Sequence, residues 1–419
     1  MTTFHPLVWA AALSFLALPL KTAAAAEIRT LTMEQAVGLA LQRNPTLQAQ
    51  ALSITSAMAS EVSAGLRPNP VFISSAQDFT AGLSQLFERG GKRQRRIDTA
   101  KLSTDIATSD FSDARRSLVF RVRKTFTDAL LEKSNLVLAE QNLKSFQVVE
   151  ELSRIRFQKG DISGADLLKI ELQKLQLESD AQDTALRLNT AKSSLRTLLA
   201  TPDLTEDFDV EGELKFAEFD MSLAELKELA MRNRPDLRSA ETLKNKAEAD
   251  VRLAVANSYT DISLALGYHH TEPSLPKWIN PLLLGGPSED SVGFGVTFPI
   301  RIFDRNQGEI ARTKAEVIRV VSLVQAARNQ ISSEVETSYA AFRTSRERAR
   351  LYEQVYLAKG RELREIAEYA YNKGAMSLLD LLEVNRAYRE MQLAYRQVLA
   401  NYLTGLHQLD LAVGLDLAK

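Results

Sequence analysis

Lys159-Gly160-Asp161-Ile162-Ser163-Gly164-Ala165-Asp166-Leu167-Leu168 returns later in the chain as Lys373-Gly374-Ala375-Met376-Ser377-Leu378-Leu379-Asp380-Leu381-Leu382, with Lys, Gly, Ser, Asp and both final leucines offset by 214 (373 minus 159). An earlier pair, Leu39-Ala40 with Pro45 and Leu47, returns as Leu229-Ala230 with Pro235 and Leu237, offset by 190 (229 minus 39). One unit is therefore written twice, and the growth of the offset by 24 (214 minus 190) places an insertion in the second copy. A period this long marks a duplicated half and not a solenoid repeat. Within the motif, Lys-Gly breaks one helix and Asp-Leu-Leu opens the next. Each copy thus carries a helical hairpin, turning at 159–161 and at 373–375.

The arms of those hairpins are long. Residues 92–157 contain no proline and no glycine, and 304–371 contain only Gly308 and Gly360. Each stretch predicts roughly 100 Å of helix at about 1.5 Å per residue, too long for an ordinary globular core. Asp304 three before Gln307, and Asn306 three before Glu309, have the spacing of capping boxes. Thr32 opens a short amphipathic helix ending near Asn44, and Pro45 starts another at its permissive first position. In the last helix Leu381, Val384, Tyr388, Met391, Tyr395, Val398, Tyr402, Gly405 and Leu409 step alternately by 3 and 4. That is a coiled-coil seam, and it reads as packing, not as a cofactor box.

Composition bounds the function. The 419 residues are 45% hydrophobic and 25% charged, with a net charge of -1, which offers no electrostatic basis for nucleic-acid binding. The chain has no cysteine, which excludes disulfides, thiolate metal sites and an acylated cysteine near the N-terminus. Residues 7–20 form an apolar stretch of signal-peptide length, and Ala24-x-Ala26 offers a cleavage site, so 1–26 reads as a signal peptide, although 1–6 lack the usual Lys or Arg. Past it, no apolar run is long enough for a spanning helix.

Two regions in each copy change period. Ile262, Leu264, Leu266 and Tyr268 alternate with Asp261, Ser263, Ala265, Gly267 and His269; Val292, Phe294, Val296 and Phe298 alternate with Ser291, Gly293, Gly295 and Thr297. Large apolar on one face and small or polar on the other is the pattern of a barrel wall between lipid and a wet lumen. The first copy, 27–215, has weaker strands at about 71–77 and 82–87; the second copy, 216–419, has them at about 261–269 and 291–298, with the insertion as a loop at 270–290. Two strands per copy make about four per chain, whereas the smallest barrels need about eight. Open edges cannot sit in hydrocarbon. Strands that face lipid here must be pooled from several chains; the alternative is a soluble pair of hairpins packed on helices.

The duplicated helix-strand-strand-helix plan, the Asn44-Pro45 junction and the repeated Gly…Asp-Leu-Leu turns resemble the TolC family of outer-membrane efflux proteins. Arg67-Pro68-Asn69-Pro70, Glu88-Arg89-Gly90-Gly91-Lys92-Arg93, and Phe298-Pro299-Ile300 with Phe303-Asp304-Arg305-Asn306-Gln307-Gly308 are similar to its cobalt-zinc-cadmium resistance (CzcC-like) branch. The resemblance covers essentially all of 27–419. It implies a mainly α fold with a small β part: a TolC-like α-helical barrel of long coiled-coil helices, plus a four-strand contribution to a shared transmembrane β-barrel. It further implies a homotrimer in the cell outer membrane that extends into the periplasm. Such a trimer is the exit duct of a tripartite efflux system, with a periplasmic adaptor (membrane fusion) protein and an inner-membrane RND pump. Lys159, Gly160, Asp166, Lys373 and Gly374 would then mark adaptor-docking tips, while Asp380, Glu383 and Tyr371 would line the periplasmic entrance and gate it. Met376 and Lys169 depart from the charged or acidic residues of better-known relatives.

Other readings stand beside these. Asp166 and Asp380 follow helix breaks, where a carboxylate favours a helix N-terminus whatever the function. His269 and His270 are adjacent on a strand and point to opposite faces, so they cannot chelate one ion without a bend. With Glu272, Glu289 and Asp290 they read as a solvated outer loop, not a metal site. The Glu-Arg-Gly-Gly-Lys-Arg run lacks the phosphate-loop pattern, and its cations suit the place where the wall meets headgroups or the helical barrel begins. No nucleophile-base pair or paired carboxylates suggest an enzyme, and no cofactor is implied. The cargo, by resemblance, is heavy-metal cations; a duct for drugs or type I protein secretion, and a soluble periplasmic coiled-coil scaffold, are the alternatives.

Overall fold

Side-chain caps set the start of each copy. Helix α1 (Met33–Arg43) is opened by Thr32, whose hydroxyl accepts from Gln35 N at 3.3 Å while Gln35 Oε1 accepts from Thr32 N at 3.1 Å. Ser222 and Glu225 repeat this reciprocal cap at α5 (Leu223–Asn233). Helix α2 (Pro45–Gly65) is capped by buried Asn44, whose Oδ1 accepts from Thr46 N and Leu47 N and whose amide donates to Leu198 O at 3.0 Å. At α6 (Pro235–Asn257), Arg234 replaces that asparagine and caps nothing. Its guanidinium, 5% exposed, bonds Asp236 Oδ2 at 2.6 Å, Glu334 Oε2 at 2.5 Å and Ala412 O at 3.2 Å. The computed structural model describes residues 29–75, 79–200, 208–216, 218–271 and 289–417. The expected signal peptide (1–26) and 272–288 of the expected insertion loop lie outside the described residues.

The long arms follow. Helix α3 (Lys92–Gln158) runs unbroken for 67 residues and turns into α4 (Gly164–Leu199). In the second copy the corresponding arm is not one helix. It is α7 (Gln307–Leu351), a π-helical turn at Tyr352–Tyr356, and α8 (Leu357–Asn372), followed by α9 (Leu378–Val413). Gly360 does not break the arm; a methyl there would overlap Met391, so the glycine admits that side chain. The seam of α9 is buried or half-buried throughout, with Leu381, Tyr402 and Leu409 inside. At Gly405 an added Cβ would stand 3.5 Å from Phe342 Cα, which is how closely α7 approaches. Neither expected capping box at 304–309 forms. Asn306 takes φ +63 without a side-chain cap, its amide donating to Ala254 O at 2.7 Å, while Asp304 Oδ1 accepts from Asn306 N.

Midway along these arms lies the conventional core. Strands β1 (Arg29–Leu31) and β4 (Phe208–Val210) pair in parallel and join the start of the first copy to its end, just before the second copy begins. Leu31, Ala36, Ala40, Val122, Phe126, Leu195 and Phe208 form one buried cluster. Leu226, Ala230, Ile331, Phe342, Tyr402 and Leu409 form its counterpart. The short helices α1 and α5 thus clamp the middle of the long ones.

At one end the helices give way to a sheet of β2 (Val71–Ser75), β3 (Phe79–Phe87), β5 (Ile262–Thr271) and β6 (Glu289–Thr297), in the order β2-β3-β5-β6 and antiparallel throughout. The register aligns the alternating patterns of both copies. Phe72, Leu83, Leu266 and Phe294 share one row of the apolar face, and Ile73, Gly82, Gly267 and Gly293 share a row of the other. A Cβ at Gly82 would come within 3.0 Å of Leu266 O, so that position needs bare backbone. The helices keep the same lateral order: α2 packs on α3, α3 on α6 and α6 on α7. Sheet and helical layer therefore end at the same two sides, β2 above α2 and β6 above α7.

Burial disfavours the Asp236 carboxylate, but its bond to Arg234 and the charge of that guanidinium hold the group below the usual carboxylate range. Its contribution is therefore complete above the unfolded pKa of about 3.9 and is lost as pH falls through the lower folded value. Asp236→Asn should destabilise the protein by about 2 kcal/mol at neutral pH, under the range for fully buried pairs because Asp236 is partly exposed. Denaturant titrations should show that difference closing as pH falls below the unfolded value of about 3.9 and through the lower folded one.

Candidate functional site

The two helical tips are the chain's most closely repeated local structure. At the first, Lys159 ends α3 and Gly160 takes φ +82. Gly160 N bonds Phe157 O and Asp161 N bonds Arg156 O, both at 2.9 Å, the paired bonds of a Schellman turn. Ser163 then caps α4, accepting from Asp166 N at 3.1 Å while its hydroxyl donates to Asp166 Oδ2 at 2.8 Å. At the second, Gly374 has φ +75, Ala375 N bonds Ala370 O at 2.9 Å, and Ser377 binds Asp380 N and Oδ2 at 3.2 and 2.7 Å. The motif that reveals the duplication is thus a helix stop and a helix start in succession. Asp166 and Asp380 both hold the capping serine, and the bond from Ser163, with one from Lys169, keeps the Asp166 carboxyl below the usual range.

Most of the expected tip residues, Lys159, Gly160, Lys373, Gly374, Asp380 and Glu383, are exposed, and Asp166 is half-buried. Lys373 lies over the Tyr369 ring, its Nζ 5.7 Å from the centroid. Glu383 joins Lys169, Leu172, Gln176, Leu379 and Arg386 along a groove between α4 and α9, with Leu172 and Leu379 exposed. Asp380 and Glu383 thus sit together on the first turns of α9. Half-buried Tyr371 is apart from them, on α8, and faces the other hairpin.

Its partner there was not legible in the sequence. Arg156 Nη1 donates to the Tyr371 hydroxyl at 3.2 Å, and the guanidinium stands 5.8 Å from the ring centroid, tying α3 to α8. By the 214 offset Tyr371 corresponds to Phe157 and Arg156 to Ala370, so the link exists in one direction only and no repeat announces it. The hairpins also differ inside. Lys174 reaches Glu150 at 2.9 Å and Arg154 reaches Glu171 at 3.7 Å, stitching α3 to α4, while Arg154 also holds Glu150 at 2.6 Å within α3. Between α8 and α9 the contacts are softer: Arg364 over the Tyr388 ring at 4.9 Å and Met391 against Gly360.

The histidine pair lies far from the tips. His270 Nδ1 and Tyr268 Oη both meet Asp290 Oδ1, at 2.7 and 2.5 Å, while His269 falls on the opposite face. Glu272 and the Glu289 side chain lie outside the described residues. Among the described residues no three His, Cys, Asp or Glu side chains converge as a metal would require.

A side chain at Gly374 must occupy the left-handed region, at a cost of about 1 kcal/mol. Gly374→Ala should therefore speed exchange of the Ala375 amide about fivefold, read by hydrogen exchange, with the amides of the core beside α1 and α5 unchanged.

The outer membrane efflux protein family model matches residues 36–201 and 226–415, one segment per copy. The cobalt-zinc-cadmium resistance protein CzcC of Cupriavidus metallidurans is 23% identical over 398 residues, 92% of this chain and 90% of the relative. A Pseudomonas aeruginosa membrane protein has a similar fold, with a TM-score of 0.76 at 19% identity, covering 91% of this chain and 92% of that one. CusC, whose structures describe transmembrane channel formation, follows at 0.75 and 17% identity, covering 91% and 92%. This duplicated chain, whose helical arms end in an open sheet, belongs to the outer membrane efflux protein family.

Proposed function

We propose that three copies close into one outer-membrane barrel and one helical tube, the exit duct of a tripartite pump for heavy-metal cations. The observation that carries this reading is the coincidence of open edges. Strands β2 and β6 are unpaired on their outer sides, and beneath them α2 and α7 expose Leu52, Met58, Val62 and Ile318, Val321. Three chains supply 12 strands from four each, enough to close. The apolar row faces lipid and the glycine row faces the lumen.

The helical tips then lie in the periplasm. Lys159, Gly160, Asp166, Lys373 and Gly374 present turns to a periplasmic adaptor, which couples the tube to an inner-membrane RND pump. Asp380 and Glu383 of three copies form a ring of like charge that draws cations and repels anions. The Arg156–Tyr371 link holds the second hairpin against the first and keeps the resting entrance narrow. Nothing in the tube performs chemistry. The metal cargo is supported by the cobalt-zinc-cadmium resistance named for one relative.

Deleting the chain from its host should sensitise cells to zinc, cobalt or cadmium. Sensitivity to dyes and detergents alone would assign the duct to a drug pump. Purified protein should be a trimer in detergent, and a water-soluble monomer would overturn the duct. In planar bilayers, Tyr371→Phe should raise closed-state conductance severalfold, and Asp380→Ala with Glu383→Ala should weaken cation preference; unchanged values would remove these residues from the entrance.

A further inference from the structure

The junction between sheet and helices carries a feature that a duct alone does not require. The apolar face ends there in a defined row, since Phe87 pairs with Ile262 on that face and Phe298 continues the alternation of Val292, Phe294 and Val296. Beyond it the apolar surface does not stop. Ile300 is 75% exposed, Ile302 61% and Phe303 89%, with Leu66 and Tyr259 also exposed. Cations crowd the same level. Residues 66–70, 87–96, 259–261 and 298–306 hold eight Arg or Lys against three carboxylates, a net of +5.

Those carboxylates are occupied. Asp261 is bound by Lys92 at 2.7 Å and by Arg89 N, Glu88 is gripped by Arg96, and Asp304 Oδ1 accepts from Asn306 N. The side chains of Arg67, Arg89 and Arg305 are exposed and form no ion pair among the described residues. The turn that presents Arg89 reverses the chain, with Gly90 and Gly91 at φ +73 and +71 and the Tyr259 ring packed where a Gly90 Cβ would stand.

We infer that this belt is a docking surface for anionic phospholipid, seated in the headgroups of the leaflet on the helix side of the barrel. The proposal rests on the outer-membrane reading above. Its occupant follows from continuity and charge. Apolar side chains that extend a lipid-facing wall belong at the acyl boundary, and unpaired guanidinium groups beside them take up phosphate oxygens. Each cation near an anionic surface contributes about fivefold in binding.

The test is native mass spectrometry of the detergent-solubilised assembly, titrated with phosphatidylglycerol or phosphatidylethanolamine, alongside its oligomeric mass and bilayer conductance. Phosphatidylglycerol should be retained at least tenfold over phosphatidylethanolamine, less than the roughly 25-fold that two such cations would supply. Arg67→Gln, Arg89→Gln and Arg305→Gln together should erase that preference, whereas Phe303→Ser should weaken both lipids alike. Equal retention by the wild type, or an undiminished preference in the triple variant, overturns the proposal. If the triple variant does not assemble, wild-type retention in about 1 M salt decides, since screening must remove the preference. A conducting trimer without preference sinks the lipid site alone; a soluble monomer sinks the duct and the site together.

Discussion

Every backbone amide and carbonyl that enters hydrocarbon must find a partner, and this constraint reaches the whole molecule. Among the described residues the sheet has four antiparallel strands and two open edges, and each unpaired group in lipid costs several kcal/mol. No rearrangement of four strands removes an edge. In the proposed assembly further copies do, bringing their helices with them, because α2 and α7 stand directly under the edge strands. The lateral order of helices repeats the order of strands, so one closure serves both layers.

The duplication makes that closure possible. Both copies feed two strands and a long hairpin into the same wall, and the register brings the two alternating patterns into phase. At the middle of the arms the first copy is closed by the β1–β4 pair and by Lys133, whose Nζ meets Asp209 Oδ2 at 2.6 Å and Val210 O at 2.7 Å. The same equatorial region holds most of the buried ion pairs, including Arg123 with Asp410 and Asp416. A rod of this length has little core elsewhere, so its stability concentrates where the short helices pack.

Toward the tips the two copies part. The first hairpin is stitched by ion pairs around Glu150; the second relies on aromatic, methionine and glycine contacts and contains the π turn, where Tyr352 stacks on Tyr395 at 6.3 Å. Local sequence is nearly the same at both turns, so the difference arises along the arms. One helix pair is held by charge at fixed geometry, the other by soft surfaces that slide at lower cost. The Arg156–Tyr371 bond joins the two.

The sequence by itself determined what depends on near neighbours along the chain. The Gly-to-Ser spacing encodes both tip turns, because a left-handed residue and a cap act within one helical turn. The seam from Leu381 to Leu409 shows which face α9 buries, and the period-two runs give the two faces of β5 and β6. The expected boxes at Asp304 and Asn306 do not form: Asp304 accepts from Asn306 N two residues on, and the Asn306 amide donates to Ala254 O, which is distant in the chain. Strand order, the register of Gly82 on Gly267, the break at Tyr352, and the pairs Arg156–Tyr371 and Arg234–Glu334 were decided only in three dimensions. Those contacts join residues separated by 100 positions or more, or depend on how one arm meshes with another, as with Arg234 and Glu334. No local period records which distant side chain a packed helix will meet.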